Sequence, residues 1–302
     1  MRHLFVINPA AGGNKNRVEE IFAQVEAFAA TLDAPAEVYL TGAPLDATVK
    51  ISNYPKTDEM LYVYACGGDG TLNECVNGAA GHGNIAVTQY ATGTGNDFIK
   101  TFGKENVHRF KDLTALSRGK VRPLDLIDCN GRYGINICSV GIDARVGRDV
   151  HKYSGIPIIG GATGYVAALL VNVIKGVTQR VKITIGEDIK ERVITLACAC
   201  NGRYYGGGFN PIPDALPDDG VLEYLIVNPV SRLKVAQIVG KYSKGRYKEF
   251  PELIEYYRGG SLKIEGDSEF VVNIDGEIVS TDKVSFNIIP KGINFLFPEG
   301  ME

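Results

Sequence analysis

The chain has 302 residues, of which 45% are hydrophobic and 22% charged, with 36 glycines and no tryptophan. That length and balance exclude a disordered, collagen-like or disulfide-scaffold chain, and they suffice to bury a core without metal or disulfide staples. The net charge of -3 and a pI near 5.9 argue against a general nucleic-acid binder.

The first third alternates strand and helix signals. The apolar run His3–Asn8 reads as a buried strand ending at Pro9, and Val18, Ile21, Phe22, Val25, Phe28 and Leu32 recur at helical spacing. Ala36–Thr41 reads as a strand, Asp46–Ser52 as a short helix and Leu61–Ala65 as a strand stopped by Gly67-Gly68. Thr71–Ala79 suits a helix and Ile85–Tyr90 a strand. This alternation predicts a parallel sheet covered on both faces.

The character changes near Leu124. Short strands follow at Asp125–Cys129, Tyr133–Val140, Val181–Ile185, Val193–Cys200, Val221–Val227, Ser261–Ile264, Phe270–Ile274, Val284–Ile289 and Ile293–Phe297. Their Gly, Asp and Asn turns carry the rhythm of an antiparallel sandwich. Helical patterns interrupt them at Thr163–Val173 and Ser231–Lys244. The best candidate for a membrane span, Ile156–Ile174, is broken by Pro157, three glycines and Asn172, so no spanning helix is expected. Cys66, Cys75, Cys129, Cys138, Cys198 and Cys200 form no C-x-x-C pair and read as buried thiols of a reducing cytosol.

The strongest chemical signal is Gly67-Gly68-Asp69-Gly70-Thr71-Leu72-Asn73-Glu74, after a predicted strand and opening a predicted helix. Glycines there let backbone approach phosphates, and the helix N-terminus favours anions. Asp69 would repel phosphate unless a cation bridges them, which points to Mg²⁺. A turn with Asp69 as a cap is the plain alternative. A second glycine-rich turn, Ala91-Thr92-Gly93-Thr94-Gly95-Asn96-Asp97-Phe98, ends the next strand on the same edge of the sheet. The loop Asn8-Pro9-Ala10-Ala11-Gly12-Gly13-Asn14-Lys15 ends the first strand, with Lys15 able to reach a phosphate. A Walker A pattern is absent. Asp275-Gly276 is either a hairpin turn or a catalytic carboxylate, and Asp218-Asp219-Gly220 carries the same ambiguity.

These blocks together resemble the diacylglycerol kinase catalytic-domain family, most closely its soluble bacterial lipid kinases. The resemblance rests on Asn8-Pro9-x-x-Gly12, the Gly67–Glu74 block and Gly93–Asp97. It continues through Pro123-Leu124-Asp125, Tyr205–Gly208, Pro213–Ala215, Asp218–Gly220 and Asp275–Glu277. The glycine-aspartate block alone is shared with NAD kinases and phosphofructokinases.

The resemblance implies a Rossmann-like α/β nucleotide domain over 1–124, followed by an all-β sandwich domain for the lipid substrate over 125–290, with 291–302 returning to the first. Sites between the domains are part of that expectation. ATP would lie on Asn8, Pro9, Gly12, Thr41, Gly67, Gly68, Asp69, Gly70, Thr71, Asn73 and Thr94. Asp69, Asp97 and Asp125 match aspartates that organise Mg²⁺; Asp275 matches the general base and Glu277 its acidic companion. A structural Mg²⁺ site maps to the carbonyls of Leu216 and Val221 and the side chain of Asp219, with Pro217 departing from the family pattern.

The implied activity is ATP-dependent phosphorylation of a lipid hydroxyl, diacylglycerol to phosphatidic acid. The alternatives are an NAD kinase-like enzyme with a soluble substrate, or an inactive lipid- or nucleotide-binding relative. A cytoplasmic protein peripheral to a membrane is expected, with no nucleic-acid partner and a homodimer left open. For membrane docking the sequence offers the acid-free stretch Ser231–Lys248, with Arg232, Lys234, Lys241, Lys244, Arg246 and Lys248. If helix ran past Gly245, Lys234, Lys241, Lys244 and Lys248 would share a face. A solvated helix face is the alternative.

Overall fold

The computed structural model describes residues 1–9, 15–142, 144 and 178–301, without the side chains of Lys15, Arg232 and Ala236. Gly12, the helix expected over Thr163–Val173 and the apolar stretch Ile156–Ile174 lie outside the described residues. The chain divides into two units: Met1–Asp125 with Lys291–Glu302, and Leu126–Pro290.

The first unit runs β1 (Arg2–Ile7), α1 (Lys15–Ala29), β2 (Ala36–Leu40), α2 (Asp46–Ser52), β3 (Leu61–Gly67), α3 (Asp69–Ala79) and β4 (Ile85–Ala91). Two 3₁₀ turns follow at Phe98–Phe102 and Lys104–Lys111, then α4 (Leu113–Ser117), whose amide donors at Thr114 and Ala115 are capped by Asp112. The strands form a parallel sheet in the order β4-β3-β1-β2. Leu4–Ile7 and Val63–Ala65 are buried, as unbroken apolar strands with both faces covered should be.

The C-terminal end of β14 (Glu277–Phe297) adds a further parallel strand on β4, with Asn294 opposite Ala86. Phe295 and Phe297 anchor it in an aromatic cluster: Phe297 lies 4.8 Å from Phe102, and Phe295 5.6 Å from Phe98. The separate strands expected at Val284–Ile289 and Ile293–Phe297 are therefore one long strand, and its last residues pair parallel rather than antiparallel.

The second unit is antiparallel. Its strands are β6 (Arg132–Gly134), β7 (Ile137–Gly141), β8 (Gln179–Ile185), β9 (Asp188–Ile194), β10 (Leu196–Cys200), β11 (Leu222–Val227), β12 (Ile254–Gly259) and β13 (Ser261–Ile274), with the first part of β14. β5 (Lys120–Cys129) begins in the first unit and ends in the second. The order is β12-β11-β10-β7-β13-β14, with β8 and β9 joined through β13 and the β5–β6 hairpin off this path. Period-two alternation gives each strand two apolar faces. On β10, Leu196, Cys198 and Cys200 join Val235 and Tyr242 of helix α5 (Arg232–Tyr242) in one core, while Ala197 and Ala199 join Val140, Ile183 and Phe286 in another. The six cysteines are buried thiols, none of them in a disulfide.

Several expected strands have different limits. Tyr133–Val140 is two strands, because Ile135 and Asn136 turn their N–H groups to Asp275. Val193–Cys200 divides into the end of β9 and all of β10. Ser261–Ile264 and Phe270–Ile274 fuse into β13 across a bulge between Glu265 and Phe270. β12 was not anticipated, because its Glu, Tyr and Arg residues hide the apolar alternation. Helix α5 stops at Tyr242, and Gly245 at φ 70° turns the chain away, so the helix does not pass Gly245.

Candidate functional site

In the first unit the strand ends of β3 and β4 bring two glycine loops into contact. Gly93 N–H donates to Gly67 C=O at 3.2 Å. A Cβ on Gly93 would lie 2.3 Å from Gly68 Cα, so any larger residue would force the loops apart. Gln89 reinforces the junction, donating to Asn96 Oδ1 at 3.1 Å and to Gly67 C=O at 3.3 Å. Asn96 adopts φ 50° and donates to Gly93 C=O at 2.8 Å.

Asp69 and Asp97 meet at this junction. Asp69 Oδ1 accepts the N–H of Asp97 at 2.7 Å and that of Phe98 at 3.4 Å. Burial, and then the negative charge of Asp97, push the Asp69 carboxyl up to about 7. Lys100 Nζ lies 2.6 Å from Asp97 Oδ1 and is the cation of the cluster. Thr71 is buried and its hydroxyl has no partner. Two carboxylates, one ammonium and an orphaned hydroxyl suit a divalent cation with phosphate oxygens, since Mg²⁺ commonly binds through one or two carboxylates plus substrate phosphates. Among the described residues no group of three or more His, Cys, Asp or Glu forms a complete metal cage.

The other expected residues of this unit are placed around the strand ends. Asn8 and Pro9 follow β1, and Thr41 follows β2 with its N–H on Ile7 C=O at 3.0 Å. Gly70 and Asn73 lie in α3, and Thr94 is exposed in the second loop. Asp125 is buried, and its Oδ1 accepts Lys291 N–H at 2.7 Å, so this carboxylate ties β5 to β14. Arg17 on α1 donates to Thr92 C=O at 2.7 Å.

In the second unit Asp275 and Gly276 form a two-residue hairpin between the paired residues Ile274 and Glu277, with φ 51° and 104°. The turn is real, and so is a second use of its side chain. Asp275 Oδ1 accepts the N–H groups of Asn136 at 3.0 Å and Ile137 at 2.9 Å; Oδ2 accepts that of Ile135 at 2.6 Å. The expected companion Glu277 opens β14 and is exposed. Asn136 links this cradle to the glycine-rich loop, donating through Nδ2 to Tyr204 C=O at 2.7 Å. Gly206, Gly207 and Gly208 all have positive φ, and the loop's Tyr205 and Phe209 line a cavity of about 60 Å³. Leu196, Val235, Ile238 and Tyr242 contribute to its almost wholly apolar wall.

The expected structural cation loop places Leu216, Asp219 and Val221 ahead of β11. Asp219 Oδ1 accepts Val221 N–H at 3.1 Å, and Oδ2 accepts from Arg258 at 2.6 Å. Arg258 also lies 3.3 Å from Glu223 Oε1. Burial, then the Asp219 charge, push the Glu223 carboxyl up to about 7. Main-chain carbonyls and carboxylates are the donors a hard cation takes, so the chemistry of the set fits Mg²⁺.

Residues 2–129 match the diacylglycerol kinase catalytic domain, and residues 136–297 match the YegS C-terminal NAD kinase beta sandwich-like domain. The chain belongs to the family with that YegS-type C-terminal domain, whose model matches more than half of it, joined here to a diacylglycerol kinase catalytic domain. Membership places its activity among kinase-like phosphotransferases. A Staphylococcus aureus (strain Newman) protein named "Putative lipid kinase" is 27% identical over 249 residues, covering 82% of this chain and 80% of that one. The fold is similar to that of a "putative diacylglycerol kinase" from Bacillus anthracis str. Sterne, with TM-score 0.76, 23% identity, and 100% and 96% of the two chains covered. A second structure from that strain, titled as a diacylglycerol kinase, gives TM-score 0.70 at 22% identity, covering 100% and 98%.

The sequence reading missed Lys100, Asn136, Glu223 and Arg17. Lys100 carried a signal, being three residues from Asp97, and so did Glu223, a lone charge inside the apolar run Leu222–Val227. Asn136 and Arg17 act through pairings distant in sequence that no local pattern announces. On α5 the docking face is reduced. Lys241 lies 3.0 Å from Glu249 and Lys248 4.0 Å from Asp214, while Val235, Ile238 and Tyr242 are buried. Among the described residues no helix is long and apolar enough to cross a membrane.

Proposed function

We propose that this chain is an ATP:lipid phosphotransferase, acting on a diacylglycerol-like alcohol at a membrane surface. The observation that carries the kinase half is the junction of the two glycine loops, with Asp69, partly buried, beside the buried Asp97 and beside Lys100. With no side chains at Gly67, Gly68 and Gly70, phosphate oxygens could come close enough to accept hydrogen bonds from backbone N–H groups at the N-terminus of α3. Mg²⁺ bound there would neutralise charge on the transferring phosphoryl group. Asp69 and Asp97 would hold it, and Asp125 would keep the adjoining strand in place. Asn8, Pro9, Thr41, Thr71, Asn73 and Thr94 would seat the nucleotide.

Asp275 is assigned as the acceptor of the proton lost by the attacking lipid hydroxyl. Its three backbone donors fix the carboxylate in one orientation, as a general base requires. Glu277 adds a second acid at the same hairpin. The acceptor is read as a lipid because the cavity in this unit is lined by hydrocarbon, a poor match for a charged dinucleotide.

Incubation with γ-labelled ATP, Mg²⁺ and, in parallel, diacylglycerol vesicles, a mixed lipid extract or NAD tests this. Label in phosphatidic acid is expected. Label in NADP would replace the lipid reading with the soluble-substrate one. ATP binding with no labelled product from any arm would leave the inactive relative.

A further inference from the structure

Glu223 belongs to no motif, yet it is the most deeply placed acid near the 216–221 loop. It is 2% exposed and stands opposite Arg258 in the register of β11 and β12. Arg258 serves two acids at once, Asp219 through Nη2 and Glu223 through Nε. Both oxygens of Asp219 accept hydrogen bonds, from Val221 N–H and from Arg258. Glu223 Oε2 is buried and accepts none. One guanidinium against two carboxylates leaves one negative charge and one desolvated oxygen uncompensated, an arrangement that costs stability unless something positive completes it.

We propose that Glu223 is a further residue of the divalent-cation site in the 216–221 loop, its Oε2 serving the ion directly or through one water, and that Arg258 competes with the ion for the two carboxylates. This rests on the Mg²⁺ reading of that loop. Mg²⁺ retains several waters, so two carbonyls and two carboxylates suffice without a full protein cage. An ion pair kept only for structure has the same geometry, but it responds differently when its members are removed. If Arg258 merely clamps two acids, removing it costs stability whether or not Mg²⁺ is present. If it competes with a cation, removing it strengthens Mg²⁺ binding and the ion restores what was lost.

The test uses full-length chain stripped with EDTA, free of nucleotide, in an Asp69→Asn background that silences the phosphate-side carboxylates. Mg²⁺ affinity is read by calorimetry, and the melting temperature with and without Mg²⁺. Glu223→Gln should weaken Mg²⁺ at least tenfold while leaving the metal-free melting temperature unchanged or higher. Arg258→Gln should tighten Mg²⁺ several-fold, with its metal-free loss of stability recovered on adding the ion. Equal affinity in Glu223→Gln and its parent overturns the proposal, as does an Arg258→Gln instability that Mg²⁺ does not restore. Asp219→Asn separates the two levels. If it loses Mg²⁺ binding while Glu223→Gln does not, only the role of Glu223 falls. If it binds as its parent does, the cation reading of the loop falls first and the proposal with it. The kinase reading stands apart, because lipid phosphorylation is not the readout.

Discussion

Asp69 and Asp275 are both carboxylates beside glycines in tight turns, and their surroundings are opposite. Asp69 sits at the head of a helix in a parallel sheet, partly buried against a second acid, with its carboxyl pushed up to about 7. Asp275 sits in an antiparallel hairpin and receives three backbone N–H donors on its two oxygens. The first carboxylate shares a single ammonium, that of Lys100, with a second acid and suits a cation brought by a ligand. The second is held in place by the fold itself. One acidic residue type is thus short of compensating charge in one unit and held by backbone donors in the other; on the proposed function the first would face a metal and the second would act as the base.

The largest expected effect is at Asp275. Asp275→Asn should lower turnover by about two to four orders of magnitude, the usual size of general-base catalysis, with ATP affinity nearly unchanged. It is a cleaner probe than Ala, since Asn tolerates the left-handed φ of 51° and Ala does not. It should also destabilise the fold, because the new amide N–H₂ must face a backbone donor, at a cost of about 1–3 kcal/mol. Near-normal turnover in a folded variant would remove Asp275 from the chemistry.

Asp69→Asn should abolish most activity and the Mg²⁺ dependence of ATP binding, with the opposite effect on stability. Its amide oxygen still accepts from Asp97 N–H, while the poorly solvated charge disappears. The metal-free melting temperature should therefore hold, or rise by roughly 2–4 °C. If both variants lose stability alike, the contrast between the two carboxylates is wrong. Unchanged Mg²⁺ dependence in Asp69→Asn would break the metal role.

A smaller effect is expected on α5. Lys234 on α5 and Lys244 just past its end have no ion pair with an acid among the described residues, unlike Lys241 and Lys248, and Leu233 next to Lys234 is 71% exposed. Lys234→Glu with Lys244→Glu should weaken sedimentation with anionic vesicles by about ten- to a hundredfold, at roughly 1 kcal/mol per basic residue. Turnover of a short-chain, monomeric lipid should change little. Undiminished vesicle binding would leave α5 as a solvated helix packed on its sheet.

What the sequence discloses follows from how locally each feature is encoded. The glycine loops at Gly67–Gly70 and Gly93–Gly95 are legible because close backbone approach admits almost no other residue, and apolar runs such as Phe5–Ile7 declare buried parallel strands. The cradle around Asp275 is not legible, because Ile135–Ile137 contribute only N–H groups that any residue could supply from 138–140 positions away. The return of β14 to the first unit appears only through family likeness; its physical cause is the packing of Phe295 and Phe297 against Phe98 and Phe102. The helical reading past Gly245 fails at a glycine whose φ of 70° is invisible to a count of lysine spacings.

The smallest expected effect concerns an acid that side chains, not backbone, satisfy. Glu255 accepts hydrogen bonds from Arg192, from Tyr257 Oη at 2.5 Å and from Asn228 Nδ2 at 3.1 Å. The bond from Arg192 is the main cause that draws its carboxyl down to about 2 from an ordinary value of 4.5. A depressed carboxylate binds fewer protons in the folded chain than in the unfolded one. Its contribution to stability is thus complete above about pH 4.5 and is lost as pH falls from there toward 2. The pair is partly solvated, so about 1–2 kcal/mol is expected at neutral pH after screening. Arg192→Gln should cost that amount in urea unfolding at pH 7, and the difference from the unsubstituted chain should shrink steadily between pH 4.5 and the lowest pH at which both still fold. A difference that stays constant over that range would mean that Arg192 contributes by packing, and that only the backbone-held carboxylate at Asp275 is fixed by its hydrogen bonds.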